Sequence, residues 1–489
     1  MRGSGILMHI SSLPSNYGIG TFGEKAYEFV DFLEKSNQKY WQILPICPTS
    51  FGDSPYQSFS SFAGNPYFID LDFLIQDFYL SKFDIDKINW GSDVARVDFN
   101  AIYTNRFKIL KKAAKNFIPS QSYNDFVDKN DFWLDDYAFF MAIKDDNNGK
   151  AWYEWNEKLK LRDKNELQNF KENHINEIEF YKVIQYFFYT QWYKLKKYAN
   201  EKNIKIIGDL PIYVAMDSVD VWANSKMFML DKNCNPIKVA GCPPDAFSQD
   251  GQLWGNPLYD WNFMKNDDYS WWIKRIEYVS KIFDITRIDH FRGFDSFYAI
   301  NWREKTARNG EWLKGPGIEL FEKAKLKLGN LNIIAEDLGF LTESVQNLVK
   351  KTGFPGMKIL QFAFDTREDS DYLPHNYIKN CVVYTGTHDN DTILGWFNSG
   401  NENDIKFAVD YMRLTENEGY NWGVIKTAWA SVCDTVIIQM QDLLSLDNSA
   451  RMNIPSTVGS NWQWRMENEC INDELAQKIN KYMTIYRRN

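Results

Sequence analysis

Short apolar runs recur along this chain, and most neighbouring pairs leave room for a helix between them. They cover residues 5–10, 40–46, 204–212, 283–288, 331–338, 357–362, 381–385 and about 434–440. Each is bounded by turn residues or by a sudden cluster of charge, so each reads as a buried strand. Between them, apolar positions return at helical spacing. In 24–36 the residues Ala26, Phe29, Val30, Phe32 and Leu33 mark one helix face. Similar periods run through 269–282, 318–328, 342–352, 403–411 and 421–431. Strands that are apolar throughout, separated by helices, predict a parallel sheet covered on its outer face. Eight of them predict an α/β fold, a (β/α)8 TIM barrel.

Two stretches interrupt the repeat. From about 80 to 202 the segments 105–117, 132–143 and 177–198 are helical in period and dense in Lys, Glu, Asp and Asn. A helical subdomain with a solvated face is expected there. A second, loop-rich insertion is expected at about 213–267. It holds Pro243-Pro244-Asp245 and the run from Gly251 to Pro257. Residues 1–489 are thus expected to form a single catalytic barrel with helical and loop insertions.

Composition narrows the partners. The net charge is -9 and no long basic run occurs, which disfavours nucleic acid. No apolar stretch approaches the roughly 20 residues of a membrane span, and the N-terminus lacks the apolar core of a signal peptide. The six cysteines (47, 234, 242, 381, 433 and 470) contain no C-x-x-C pair. A disulfide framework and a zinc site are therefore not expected, and a cytoplasmic setting is. Aromatic residues make up 16 % of the chain, with 18 Trp and 27 Tyr. Rings that both stack and hydrogen-bond suit flat, hydroxyl-edged ligands such as sugars.

The chemistry gathers at strand ends. Arg287 and Asp289 are two apart on the fourth run, so they share one face of a strand. Gly293 then lets the chain turn away. Asp209 ends the third run, Glu336 and Asp337 the fifth, and Asp389 and Asp391 follow the seventh. In a barrel these ends surround one mouth. Converging acids fit two chemistries. Oxygen ligands suit Mg²⁺ or Mn²⁺; a nucleophilic carboxylate beside a protonated carboxylic acid suits glycosyl transfer. The aromatic loops favour sugars, and Arg287 would compete with a metal for the same oxygens. Glu336 has an acidic neighbour, Asp337, whose charge would favour its protonated form, whereas Arg287 would keep Asp289 ionised.

Eight segments, in order along the chain, resemble the 4-α-glucanotransferase (amylomaltase, disproportionating enzyme) family, glycoside hydrolase family 77. They are residues 52–60, 208–214, 243–245, 251–259, 287–293, 335–339, 387–392 and 451–455. The resemblance is to its compact bacterial type, with no room expected for an N-terminal starch-binding module. It implies Asp289 as nucleophile, Glu336 as general acid and base, and Asp389 as transition-state stabiliser. It implies that Arg287 holds Asp289 ionised and that His388 binds the sugar at the −1 position. Tyr56 and Asp209 would line that position, with Ser54 nearby, and Gln252 and Trp254 would cover the acceptor side. Asp365 and Asn453 would be further sugar contacts. Maltooligosaccharides, glucose and α-1,4-glucans would be the partners, with no metal, nucleotide or organic cofactor.

Two positions depart from the family pattern. Phe51 stands where some relatives carry Tyr in a second, remote glucan-binding groove; Phe stacks but does not hydrogen-bond. Ala246 stands where relatives often have a bulkier residue in the acceptor-side loop. The competing readings are a hydrolytic, α-amylase-like enzyme and a catalytically idle glucan-binding protein.

Overall fold

The computed structural model describes residues 2–244, 249–339, 341–367 and 369–489. Pro-Pro-Asp ends at Asp245, which with Ala246 lies outside the described residues. The strands, in chain order, are β1 (Gly3–Leu7), β2 (Tyr40–Gln42), β3 (Lys205–Pro211), β4 (Lys238–Cys242), β5 (Gln252–Pro257), β6 (Ile285–Asp289), β7 (Ser296–Asn301), β8 (Gly310–Lys314), β9 (Ile333–Ala335), β10 (Gly356–Ile359), β11 (Cys381–Tyr384) and β12 (Thr435–Gln439).

Eight of these form one sheet in the order β10-β11-β12-β1-β2-β3-β6-β9, and every pairing in it is parallel. Its two outer strands meet where the Ala335 amide donates to the Pro355 carbonyl at 2.9 Å. The sheet therefore closes on itself, and the fold is a (β/α)8 barrel. All eight predicted runs supply a strand, but most strands are shorter than their runs. The run 40–46 leaves the ladder after Gln42, although Ile43, Leu44 and Ile46 stay buried. Pro45 has no amide to donate to a ladder. The run 5–10 likewise yields β1 and then a single 3₁₀ turn at Ile10–Ser12. Burial explains apolar character; only pairing makes a strand.

The helices Phe99–Asn116, Gln121–Asp146, Lys164–Asn173 and Ile175–Glu201 lie between β2 and β3. The last turns Val183, Phe187, Phe188, Trp192 and Leu195 inward. Its Trp192 indole donates to the Ile282 carbonyl at 3.2 Å, fixing the helix beside the start of β6. Gly208 in β3 allows the same close packing, since a Cβ there would fall 2.1 Å from the Phe283 ring.

A second sheet, antiparallel and four-stranded, runs β5-β4-β7-β8. The stretch expected as a loop insertion at 213–267 supplies only β4 and β5. The other half comes from beyond β6, from residues with no expected structure. Antiparallel partners far apart in sequence leave no local period to read. Among the described residues no helix is long and apolar enough to cross a membrane.

Candidate active site

Register places the charges. Asp209 on β3 pairs with Arg287 on β6, so both side chains project from the same face into the barrel mouth. Arg287 Nη1 donates to Asp209 Oδ2 at 2.6 Å and to Asp289 Oδ1 at 3.1 Å. Arg287 and Asp209 are 5 % and 0 % exposed at the side chain, whereas Asp289 is 30 % exposed. The guanidinium is thus sealed behind the carboxylate it presents. Asp209 Oδ2 also accepts from the Tyr56 hydroxyl at 2.7 Å. Its other oxygen, Oδ1, is buried with no hydrogen-bond partner.

β6 pairs with β9 through Ile288 and Ala335, so the next residues, Asp289 and Glu336, stand on neighbouring strands at the mouth. Parallel neighbours lie about 4.8 Å apart. Past Asp289 the chain turns through His290, which adopts the left-handed conformation at φ 52°. A non-glycine residue there stores about 1 kcal/mol or more of strain. The turn aims the His290 amide at Glu336 Oε2, 2.5 Å away, while the Leu338 amide reaches Oε1 at 3.0 Å. Glu336 is therefore fixed by two backbone amides, and no cation contacts it directly among the described residues.

Burial pushes both carboxyls of this pair above the usual carboxylate range, and the Arg287 charge opposes that in both. Asp289 alone also accepts a hydrogen bond from Arg287, so its charged form is the better supported. The sequence reading credited Asp337 with keeping Glu336 protonated. That is corrected here: burial raises Glu336, and after it the nearby Asp289 charge. Asp337 is occupied elsewhere, accepting from the Met357 amide at 2.7 Å.

Across the mouth, the Tyr56 and His388 rings stack with centroids 4.9 Å apart and planes at 20°. Ser54 positions this ring by accepting the Tyr56 amide at 3.2 Å. Burial lowers the His388 pKa, so the imidazole is neutral near pH 7. Asp389 Oδ1 sits 3.4 Å from His388 Nε2 and accepts from Asn453 Nδ2 at 2.6 Å. Arg451 Nη2 donates to the Asp389 carbonyl at 2.5 Å, and its Nη1 pairs with Asp391. Trp254 donates to Gln252 Oε1 at 3.0 Å and sets its ring edge-on to His290 at 4.8 Å. The β5 hairpin is thereby docked on the turn that holds Glu336. His9 accepts the Leu44 amide at 3.2 Å and is a satisfied core histidine.

Most predicted site residues thus converge: Tyr56, Asp209, Arg287, Asp289, Glu336, His388, Asp389 and Asn453 surround one opening, with Ser54, Gln252 and Trp254 supporting it. Asp365 shows no direct contact with these side chains among the described residues. It is held by Arg367, which lowers its carboxyl to about 2. Phe51 is 73 % exposed. The residue-level reading missed Trp462, whose ring lies 5.9 Å from Tyr56 and 5.8 Å from His388. It comes from a distant loop, and nothing local marks it. Arg451 opens the 451–455 segment, and nothing in its local sequence marks its contact with Asp389. Among the described residues no group of three His, Cys, Asp or Glu is arranged to hold a metal ion.

Comparison with known proteins bears on what this mouth does. The family described as 4-alpha-glucanotransferase matches residues 8–471. The chain belongs to that family. A 4-alpha-glucanotransferase of Clostridium butyricum is 53 % identical over 98 % of this chain and 100 % of its own. One from Thermus thermophilus is 41 % identical over 95 % of each chain. A solved amylomaltase from Streptococcus agalactiae, in complex with acarbose, superposes with a TM-score of 0.97 at 47 % identity, covering 100 % of both chains. At 18 % identity an amylomaltase from Corynebacterium glutamicum shares the fold alone, with a TM-score of 0.79. This family member covers 100 % of the Clostridium and Streptococcus chains and 75 % of the Corynebacterium one.

Proposed function

We propose that the chain is a retaining α-1,4-glucan transferase that disproportionates maltooligosaccharides, with Asp289 as nucleophile and Glu336 as general acid and base. Asp289 attacks the anomeric carbon of a donor glucan while Glu336 protonates the departing O4. A covalent glucosyl-enzyme results. Glu336, now ionised, takes the proton from the 4-hydroxyl of an acceptor glucan or glucose, whose oxygen displaces Asp289. Both inversions together retain the α configuration.

One observation carries this reading. Two carboxyls stand at the ends of adjacent parallel strands, which lie about 4.8 Å apart, a spacing that suits a retaining pair, and of the two Asp289 alone accepts a hydrogen bond from a cation among the described residues. Secondary features support it. Asp389 and the neutral His388 offer an acceptor and an adaptable ring nitrogen at the same opening. Trp254 and Gln252 lie on the side of Glu336, where the leaving and incoming glucans would pass. Water must be kept from the intermediate for transfer to prevail, and we assign that task to the loops at 51–67 and 241–259. The helical stretch at 80–202 serves as scaffold for a single catalytic unit. No disulfide joins cysteines among the described residues, which suits work in a reducing cytoplasm.

Incubation with maltotriose tests the proposal. Transfer yields glucose together with a ladder of longer glucans. Glucose and maltose without longer products would instead mean hydrolysis, and no product would mean a binding protein. A finer expectation concerns Tyr56→Phe. Loss of the hydroxyl that donates to Asp209 at 2.7 Å removes one hydrogen bond to a charged group, about 1.5 kcal/mol, or roughly tenfold in kcat/KM. The ring and its stack on His388 remain, but the bond also supports a buried carboxylate, so the melting temperature should fall slightly as well. A variant with unaltered kinetics would remove Tyr56 from the substrate site.

A further inference from the structure

β11 and β12 are neighbours in the barrel, and each begins beside a cysteine. Cys381 opens β11, and Cys433 lies two residues before β12. The Lys379 carbonyl accepts from both the Cys381 amide and the Asp434 amide, each at 2.8 Å, so the two strand starts are tied to one atom. The sulfurs are 2.8 Å apart, inside the ordinary contact distance of two unbonded sulfur atoms. Both residues are buried, at 3 % and 0 % exposure.

Two arginines border the Cys433 segment, where Asp434 is the next residue in the chain. Arg488 Nη1 donates to the Cys433 carbonyl and its Nη2 to the Ser431 carbonyl, each at 3.0 Å. Arg2 Nη2 reaches the Ser431 carbonyl at 2.6 Å and that of Trp429 at 3.2 Å. Both guanidiniums rest on backbone carbonyls; the Arg488 charge also favours the Cys433 thiolate, while the Asp337 charge favours the protonated form of Cys381. The hydrogen bond from Cys381 draws the Cys433 thiol below its usual range, helped by Arg488, while Cys381 is pushed up. One sulfur is thus prepared as thiolate and the other as its proton donor.

We propose that Cys381 and Cys433 are a reversible oxidation site whose oxidant is a peroxide. The Cys433 thiolate attacks one oxygen of hydrogen peroxide, the O–O bond breaks, and the leaving hydroxide takes a proton to become water. Cys433 is then a sulfenic acid. The Cys381 sulfur attacks it, the S–O bond breaks, and hydroxide leaves with the Cys381 proton as a second water. Two thiols and one peroxide become one disulfide and two waters. A small oxidant suits the site, because the cysteines are buried but their neighbours Asn380 and Val432 are exposed. A dithiol reverses the bond.

The cross-link would join the barrel at the end opposite the mouth. The chain it closes carries His388 and Asp389 at its far side, so transfer should proceed unchanged while unfolding becomes harder. Closing a loop of about 50 residues should raise the melting temperature of a chain this long by about 4 °C.

The full-length protein would be treated with hydrogen peroxide, its free thiols alkylated, and its peptides mapped by mass spectrometry. The expected result is a linked peptide containing Cys381 and Cys433, lost on addition of dithiothreitol, with the upward melting shift and an unaltered maltotriose rate. Cys381→Ser and Cys433→Ser should each abolish the linked peptide and the shift. Peptide mapping of the unsubstituted protein decides the matter even if a variant fails to fold. Both cysteines recovered as alkylated thiols, or Cys433 recovered as sulfinic acid without a link, would overturn the proposal.

Discussion

Asp289→Asn should lower the rate of maltotriose disproportionation by about 10⁴-fold or more and leave the fold intact. The amide is isosteric, and its oxygen can still accept from Arg287 Nη1, now 3.1 Å from Asp289 Oδ1. What disappears is the negative charge that attacks the anomeric carbon. Because that charge is buried at a cost, losing it should not destabilise the protein. Glu336→Gln should be nearly as damaging with maltotriose, yet distinguishable. Its amide oxygen can keep one of the two backbone donors, from His290 and Leu338, but no proton remains for the leaving group. A donor such as α-glucosyl fluoride needs no such proton, so Glu336→Gln should still form the glucosyl-enzyme from it, whereas Asp289→Asn should not. The pH profiles follow from the same burial. Both carboxyls are raised, so the wild-type acid limb, where Asp289 takes up a proton, should lie above the ordinary carboxylate range. The alkaline limb marks proton loss from Glu336 and should vanish in Glu336→Gln with the fluoride. Near-normal transfer by Asp289→Asn would remove the nucleophile assignment outright.

The barrel was legible because each β-strand buries nearly all its side chains and each following helix only one face. Gly3–Leu7 and Cys381–Tyr384 are buried at every position, and that shows in the residues alone. The site was legible for a related reason. Charge at the end of an apolar run is costly unless it is used, so Asp209, Asp289, Glu336 and Asp389 stood out. Their roles came from family resemblance, since spacing left a metal site open. Three features could not be read. The antiparallel sheet joins β4 and β5 to β7 and β8 across the whole of β6, and its pairing is written in no local period. Trp462 reaches Tyr56 and His388 from a loop far along the chain. The cause of Glu336's raised pKa was misassigned to Asp337 because adjacency in sequence was taken for proximity of charge. The Asp337 side chain in fact turns to the Met357 amide.

Arg287→Met should cost stability as well as activity, and the stability loss should depend on pH in a definite direction. Arg287 is the cation of Asp209, whose side chain is 0 % exposed and already carries one oxygen without a partner. Removing the guanidinium leaves that carboxylate buried with only the Tyr56 hydroxyl, and leaves Asp289 facing it. Breaking a buried pair in this way costs about 3–5 kcal/mol. The methionine replaces the stem that meets Met357, where Arg287 Nε lies 3.4 Å from the thioether sulfur, so packing changes little. In the variant both carboxyls should be raised in the folded state above their unfolded values near 4. The folded protein then binds more protons than the unfolded chain, so its stability falls as pH rises. The gap from wild type should therefore be widest in alkali and should narrow as the pH is lowered toward the unfolded carboxylate range. Urea unfolding at pH 5 and pH 8 measures it. Adding Asp209→Asn to Arg287→Met should restore much of the stability at pH 8, because the unpaired charge is gone, without restoring transfer. A gap that is equal at both pH values would mean that Arg287 serves as filler, and that the ionisation of Asp289 does not depend on it.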